Sequence, residues 1–229
     1  MSWSAGEDRF TLAGPPGLLC FTTTRREALP PGEADAAVLL AAAGVRAAGP
    51  RVVAGMEQVH GARVVKVGQG AASQILPSCD GLVTGQPGVA LIVRTADCLP
   101  LVAFDPGRGM LGAAHAGWRG VRAGIPARLV EVMGPGDLWV AVGPAIGPCC
   151  YAVGPEFDAW FPGHLRKRDS GRFLDLAGAA EAQLRAVGVP GDRIVRAPWC
   201  TFCERELCSS YRREGEQAGR MVTCAMMVE

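Results

Sequence analysis

The chain contains three histidines, His60, His115 and His164, so each calls for a reason. His60 sits in Gln58-Val59-His60-Gly61, just ahead of an apolar run. His115 sits in Ala114-His115-Ala116-Gly117-Trp118-Arg119-Gly120, between an apolar run and a helical pattern. Thr95-Ala96-Asp97-Cys98-Leu99-Pro100 separates two apolar runs and brings a carboxylate and a thiol to one turn. Strand ends that enter turns are where a rigid scaffold carries its chemistry. Two imidazoles and a thiolate at such positions can give Zn²⁺ three ligands and leave a fourth position open, as catalytic sites do. The same set can hold copper. Without a metal, Cys98 is a nucleophile that a histidine could activate. The other reading, three ordinary buried or capped residues, stays open here because His60, Cys98 and His115 lie far apart along the chain. His164, in Pro162-Gly163-His164-Leu165-Arg166-Lys167-Arg168, is expected in a solvated basic loop.

Nine cysteines pose a second question. Cys200-Thr201-Phe202-Cys203 is a CxxC, with Cys208 and Cys224 after it and Cys149-Cys150 before it. A zinc knot or an iron–sulfur site would use such spacing. A lone CxxC is a weak signal, and adjacent cysteines are poorly disposed to share one ion. Cysteine packs as a small hydrophobe, so buried free thiols are the expectation. A metal-binding module built on the cysteine-rich tail is the non-enzymatic alternative. The odd cysteine count, and a start at Met1–Asp8 without a basic or apolar leader pattern, read as reduced thiols in the cytoplasm.

The elements that must position these residues are legible in part. Apolar runs at Ala62–Val67, Val89–Arg94, Leu99–Asp105, Met110–Ala114, Leu138–Val142 and Arg193–Ala197 predict strands. Several are continuous rather than alternating, which suits strands covered on both faces. Helices are predicted over Asp35–Ala48, over Trp118–Met133 with Pro126 as a kink or restart, and over Asp175–Val187 with Gly188 as its stop. The last would bury Leu176, Ala180, Leu184 and Val187 along one stripe. Strands and helices mix without strict alternation, which points to an α+β or layered α/β domain with mixed sheets and no dinucleotide-binding topology. No composition break marks a boundary, and residues 1–229 read as a single domain.

Composition excludes several functions. The chain has 229 residues, half of them hydrophobic, which is enough for a core and excludes a disordered chain. A net charge of +1 offers no global attraction to nucleic acid or an anionic membrane. The longest uncharged stretch, Leu138–Pro155, is broken by Gly143, Pro144, Gly147, Pro148 and Gly154, so no membrane span is expected.

Taken together, Gln58-Val59-His60-Gly61, Asp80-Gly81-Leu82-Val83-Thr84, Thr95-Ala96-Asp97-Cys98, His115-Ala116-Gly117-Trp118-Arg119-Gly120, Gly143 to Tyr151 and Ser210-Tyr211-Arg212-Arg213 resemble the YfiH-like laccase-domain, or polyphenol-oxidoreductase, family. Members are also described as purine nucleoside phosphorylases and, in some bacteria, as peptidoglycan-editing factors. The resemblance implies a layered α/β fold of mixed sheets flanked by helices. It implies a metal triad of His60, Cys98 and His115, holding Zn²⁺ or Cu²⁺. It implies phosphorolysis of adenosine, inosine and methylthioadenosine and deamination of adenosine, with copper-dependent phenol oxidation as the alternative. Asp97 is the expected proton donor to a leaving purine, and Arg25, Gln58 and Arg119 the expected contacts to substrate or phosphate. Purine nucleosides and phosphate are the expected partners, in a monomer or homodimer. The chain departs from the family at Thr24-Arg25-Arg26-Glu27-Ala28-Leu29, where members carry a glycine-rich stretch after the arginine.

Overall fold

The apolar runs in the middle of the chain form strands, and they divide between two sheets. A computed structural model describes residues 1–32, 52–68 and 72–228. In a seven-stranded sheet the order is β1 (Ser2–Ala5), β2 (Arg9–Ala13), β3 (Leu18–Thr23), β16 (Met221–Met227), β8 (Val89–Thr95), β4 (Val52–Met56) and β6 (Gln74–Leu76). A six-stranded sheet runs β15 (Ile194–Arg196), β11 (Trp139–Val142), β9 (Leu99–Asp105), β10 (Met110–Ala116), β7 (Gly81–Thr84) and β5 (Val64–Val67). A small third sheet orders β12 (Ala152–Val153), β14 (Gly171–Leu174) and β13 (Leu165–Arg168). Both large sheets are mixed: β4 pairs in parallel with β6 and β8, β5 with β7, and β11 with β15. The α+β class expected from the sequence is the one observed.

The two large sheets pack face to face. Leu91, Val93 and Ala225 of the first meet Val102, Phe104, Leu111 and Ala113 of the second in one buried cluster. The opposite face of the six-stranded sheet carries the helices. Leu99, Leu101, Ala103, Val140 and Val142 pack there against Val121, Ile125, Leu129, Met133, Leu176, Ala180 and Leu184. Each fully buried aliphatic side chain contributes about 1.5–3 kcal/mol relative to exposure. Strand β9 is therefore covered on both faces, and β8 is buried at six of its seven positions, which explains their unbroken apolar character.

The predicted helix over Trp118–Met133 is two helices, α1 (Trp118–Arg122) and α2 (Ile125–Met133). The break falls at Gly124, whose φ of 88° is the left-handed conformation that glycine adopts without strain. Pro126 comes after the break, in the first turn of α2, where a missing N–H costs nothing. α3 (Phe157–Trp160) is a single turn. α4 (Leu176–Ala186) is capped by Asp175, which accepts from the Gly178 N–H at 2.8 Å. Val187 does not join its buried stripe: it lies just past the helix end and is exposed. α5 (Tyr211–Glu214) is capped by Ser210. The basic segment after His164 is strand β13 rather than a loop, and His164 is half-buried at its start. The helix predicted over Asp35–Ala48 lies outside the described residues.

The N-terminal hairpins β1–β3 and the C-terminal β16 were not among the predicted strands. β16 lies between β3 and β8 and is buried at every position. The C-terminal strand is thus sewn into the centre of the larger sheet, while the N-terminal strand β1 forms its edge. Among the described residues, no helix is long and apolar enough to cross a membrane.

Candidate active site

β4, β6 and β8 are mutually parallel, so their C-terminal ends lie at one end of the seven-stranded sheet. From each of those ends the chain crosses to the six-stranded sheet: β4 to β5, β6 to β7, and β8 to β9. The three crossings carry His60, Asp80 and Cys98 in turn. His115 comes from β10, opposite Pro100 in the register. Open α/β sheets likewise place ligand sites at strand C-terminal ends.

The structure brings His60, Cys98 and His115 together, each offering a donor atom within 4.8 Å of the others. The two imidazole rings meet edge to face at 4.8 Å. His115 is buried, Cys98 half-buried and His60 exposed, so the cluster has a sealed side and an open side. His60 adopts φ 60° and Asp97 φ 92°, left-handed conformations that are costly for residues with side chains. Gly117, at the N-cap of α1, closes the cluster from below. A Cβ there would lie 2.9 Å from the Cys98 Sγ and 2.9 Å from the His60 Cδ2. Glycine leaves that volume free, and an ion among the three donors fits the space.

Asp80 organises the cluster, and the sequence reading did not single it out. Its carboxylate is fully buried. Oδ1 accepts from the His60 N–H at 2.9 Å and faces His115 Nδ1 at 2.8 Å; Oδ2 accepts from the N–H groups of Gly61 at 2.7 Å and Val59 at 3.2 Å. Burial works against its charge, yet these donors hold its carboxyl below the usual carboxylate range. With Nδ1 committed to Asp80, His115 turns Nε2 toward Cys98, the outer-shell arrangement that fixes a ligand's ring and tautomer. Its signal in the sequence is the Asp80-Gly81-Leu82 segment, part of the family resemblance, which does not by itself give the carboxylate a role.

The charges of Cys98 and His115 depend on one another. Burial alone would raise the Cys98 thiol; the neighbouring His115 charge, and hydrogen bonds from His115 and His60, pull it down to about 6. Burial alone would lower His115; the Cys98 thiolate and the Asp80 hydrogen bond push it up to about 9. In the metal-free pair both shifts favour a thiolate beside an imidazolium.

The cluster opens into a cavity of about 620 Å³. Trp118 and Tyr151 line it with Arg94, Arg119, Arg212 and Arg220. Burial, and the charge on Cys98 beside it, push the Tyr151 phenol well above its usual range, so it is a neutral hydroxyl. Arg119 lies over the Trp118 ring at 4.6 Å, and Arg212 over Tyr151 at 5.1 Å.

Three expected site residues behave otherwise. Arg25 is not in the cavity wall: its guanidinium donates to the Arg205 carbonyl at 2.6 Å and pairs with Glu214 at 3.5 Å. The 3₁₀ turn at Arg25–Glu27, which stands where a glycine-rich loop was missed, directs it there. Asp97 reaches the cavity wall but accepts from the Thr201 hydroxyl at 2.5 Å, the Ser210 hydroxyl at 3.0 Å and the Arg212 N–H at 2.7 Å. Those three bonds anchor the turn beside Cys98. Gln58 spends its amide on the Arg94 backbone, donating to its C=O at 2.8 Å and accepting from its N–H at 2.9 Å. That exchange extends the β4–β8 pairing toward His60.

Residues 33–228 match the family described as multi-copper polyphenol oxidoreductase laccase. The chain belongs to that family. It is 41% identical over 188 residues to the purine nucleoside phosphorylase YlmD of Geobacillus stearothermophilus, covering 72% of this chain and 69% of that one. The crystal structure of YlmD from Geobacillus stearothermophilus superposes with a TM-score of 0.84 at 32% identity, over 99% of this chain and 98% of the other. A protein named adenosine deaminase RL5, from an unknown prokaryote, is 36% identical over 162 residues, 65% of this chain and 62% of that one. The layered arrangement of mixed sheets is thus the family's fold.

Proposed function

We propose that this chain, as a single domain, is a purine nucleoside phosphorylase acting on adenosine, inosine and S-methyl-5'-thioadenosine, with adenosine deaminase activity at a Zn²⁺ held by His60, Cys98 and His115. The observation that carries the reading is one cavity shared by those three donors and four arginines. Among the described residues the one carboxylate in its wall, Asp97, already has its oxygens engaged. Such a wall attracts phosphate, which guanidinium forks bind well. The names of the relatives point the same way.

In phosphorolysis the N-glycosidic bond breaks as a phosphate oxygen bonds to the sugar's anomeric carbon, and the base leaves with the electron pair. Arg119 and Arg212 hold phosphate at that carbon. Trp118 offers a face on which a purine can stack. The neutral Tyr151 hydroxyl donates a hydrogen bond to the base or sugar. Asp80 keeps His115 in one tautomer throughout. When bound, a divalent ion at the triad supplies the activation of water that deamination needs. Copper-dependent phenol oxidation is less well served: two of the chain's three histidines are in the triad, and too few remain for a multicopper cluster.

Purified protein is to be incubated with each nucleoside, with and without phosphate, and the products separated by chromatography. Free base with the matching sugar 1-phosphate (ribose 1-phosphate, or its 5-methylthio form from methylthioadenosine), formed only when phosphate is present, supports the reading, as does inosine formed from adenosine. Activity that survives intact in Cys98→Ala, or nucleosides left untouched by metal-replete protein, overturns it.

A further inference from the structure

Four thiols that the proposed function does not use come together at a second place. Cys149 and Cys150 lie in the loop after β11, and Cys200 and Cys203 in the turn after β15. All four Sγ atoms lie within 4.8 Å of one another. Cys203 Sγ is 3.3 Å from that of Cys150 and 3.7 Å from that of Cys149. From these distances we infer that Cys149, Cys150, Cys200 and Cys203 form a structural Zn²⁺ site that clasps the two loops behind the active-site wall.

The sequence argued against such a site on two grounds, and the structure removes both. Adjacent cysteines in an extended strand point to opposite faces. Here the chain coils instead, with the N–H groups of Cys150 and Tyr151 both donating to the Gly147 carbonyl at 3.0 Å. That turn swings Cys149 and Cys150 toward the same side. Nor are these thiols buried like packing cysteines: Cys149 and Cys203 are exposed and Cys150 and Cys200 half-exposed, whereas Cys208 and Cys224 are buried.

The dimensions suit one ion. Zinc–sulfur bonds of about 2.3 Å in a tetrahedron set sulfur–sulfur edges of about 3.8 Å. The separations are too long for a disulfide, which needs about 2.05 Å. A cluster of several irons inside the ligand set would spread the sulfurs further than 4.8 Å. Cys200 Sγ already accepts from the Gly147 N–H at 3.2 Å, a bond that favours thiolate over thiol. Four thiolates around Zn²⁺ leave a net charge of −2. Two cations stand close: Arg213 donates to the carbonyls of Thr201 and Phe202, and Arg168 to that of Pro148.

The position gives the ion a structural task. The first loop runs on to Tyr151 and includes Ile146, both in the cavity wall. Between the two cysteines of the second, Thr201 donates its hydroxyl to Asp97, the neighbour of Cys98. An ion joining these loops fixes the wall and the Cys98 turn together. Its ligands are distinct from the triad, so the two sites can be emptied separately.

The test is zinc content by mass spectrometry, after expression with zinc and dialysis against a moderate chelator. Cys98→Ala is expected to retain one zinc per chain, and adding Cys200→Ser and Cys203→Ser to remove it. The cobalt form of Cys98→Ala is expected to show the sulfur-to-metal charge transfer and intense visible bands of a tetrahedral thiolate site. Because this triple variant could fail to fold, Cys149→Ser in the Cys98→Ala background, at an exposed position, serves as a second probe and is expected to lose the retained ion with its circular dichroism unchanged. A Cys98→Ala protein without zinc, retention of the ion after loss of Cys200 and Cys203, or disulfides among the four cysteines in protein purified under argon overturns the inference. If the triad binds nothing, wild type and Cys98→Ala carry the same single ion; the functional proposal then fails while this site stands.

Discussion

Asp80→Asn is the most informative single change at the triad. The carboxylate takes four donors, two on each oxygen. An asparagine has one carbonyl oxygen, so its NH₂ must face two of those donors whichever way it is turned. With NH₂ in the Oδ2 position, the N–H groups of Val59 and Gly61 are stranded. A stranded donor costs about 1–3 kcal/mol, so the pair costs about 2–6 kcal/mol, toward the lower end because these amides are only partly buried. With NH₂ in the Oδ1 position, the His60 N–H is stranded at about 1–3 kcal/mol, and His115 must accept at Nδ1. Its proton then sits on Nε2, which can no longer ligate. Either orientation weakens the triad, and losing such an outer-shell partner lowers metal affinity by roughly 10–100-fold. Competition against a chromophoric zinc chelator reads the affinity, and urea unfolding of the metal-free protein reads the stability. A zinc affinity within twofold of wild type, with unchanged stability, would refute the role given to Asp80.

Four other outcomes are expected. Gly117→Ala, at φ −74° where alanine is unstrained, is expected to leave folding intact and abolish metal binding at the triad, because the new methyl group fills the space beside Cys98 and His60; zinc content checks this. In metal-free protein, Cys98 alkylation by iodoacetamide is expected to rise with pH through a midpoint near 6, since the depressed thiol ionises there, and His115→Ala is expected to move that midpoint up toward the ordinary thiol value of 9.0. Arg119→Ala is expected to raise the KM for phosphate by roughly 10–100-fold, the loss of one charged hydrogen bond, while Arg25→Ala leaves it unchanged. Gly124→Ala puts a Cβ into the left-handed break between α1 and α2 and is expected to cost about 1–2 kcal/mol, read as a lower urea midpoint.

The triad residues were legible because histidine is scarce and because His60, Cys98 and His115 each sit where an apolar run begins or ends. Their convergence was not, since it depends on β4, β6 and β8 being parallel, and pairing between distant strands leaves no local trace. Asp80 was missed for the same reason: no neighbour in sequence shows that its partners are Val59, His60, Gly61 and His115. Arg25 was misplaced because its position was inferred from chain order in a family pattern, while its partners, Arg205 and Glu214, come from the other end of the chain. Strand β16 escaped because Met221-Val222-Thr223-Cys224-Ala225-Met226-Met227 has only two β-branched residues, and its burial comes from neighbours on both sides. Leu99–Asp105, by contrast, was predicted with the bounds observed, since a strand covered on both faces announces itself by composition.

His60, Asp80 and Cys98 are each tied to both layers of the sandwich, because each lies on a strand-to-strand passage between them. If one layer slid over the other, all three would shift relative to His115 at once. The ligand geometry therefore works like a vernier, registering small misalignments of two large surfaces at a single point. An ion seated there is a bolt through both plates, and its tightness gauges how well Leu91 and Val93 mesh with Val102 and Phe104.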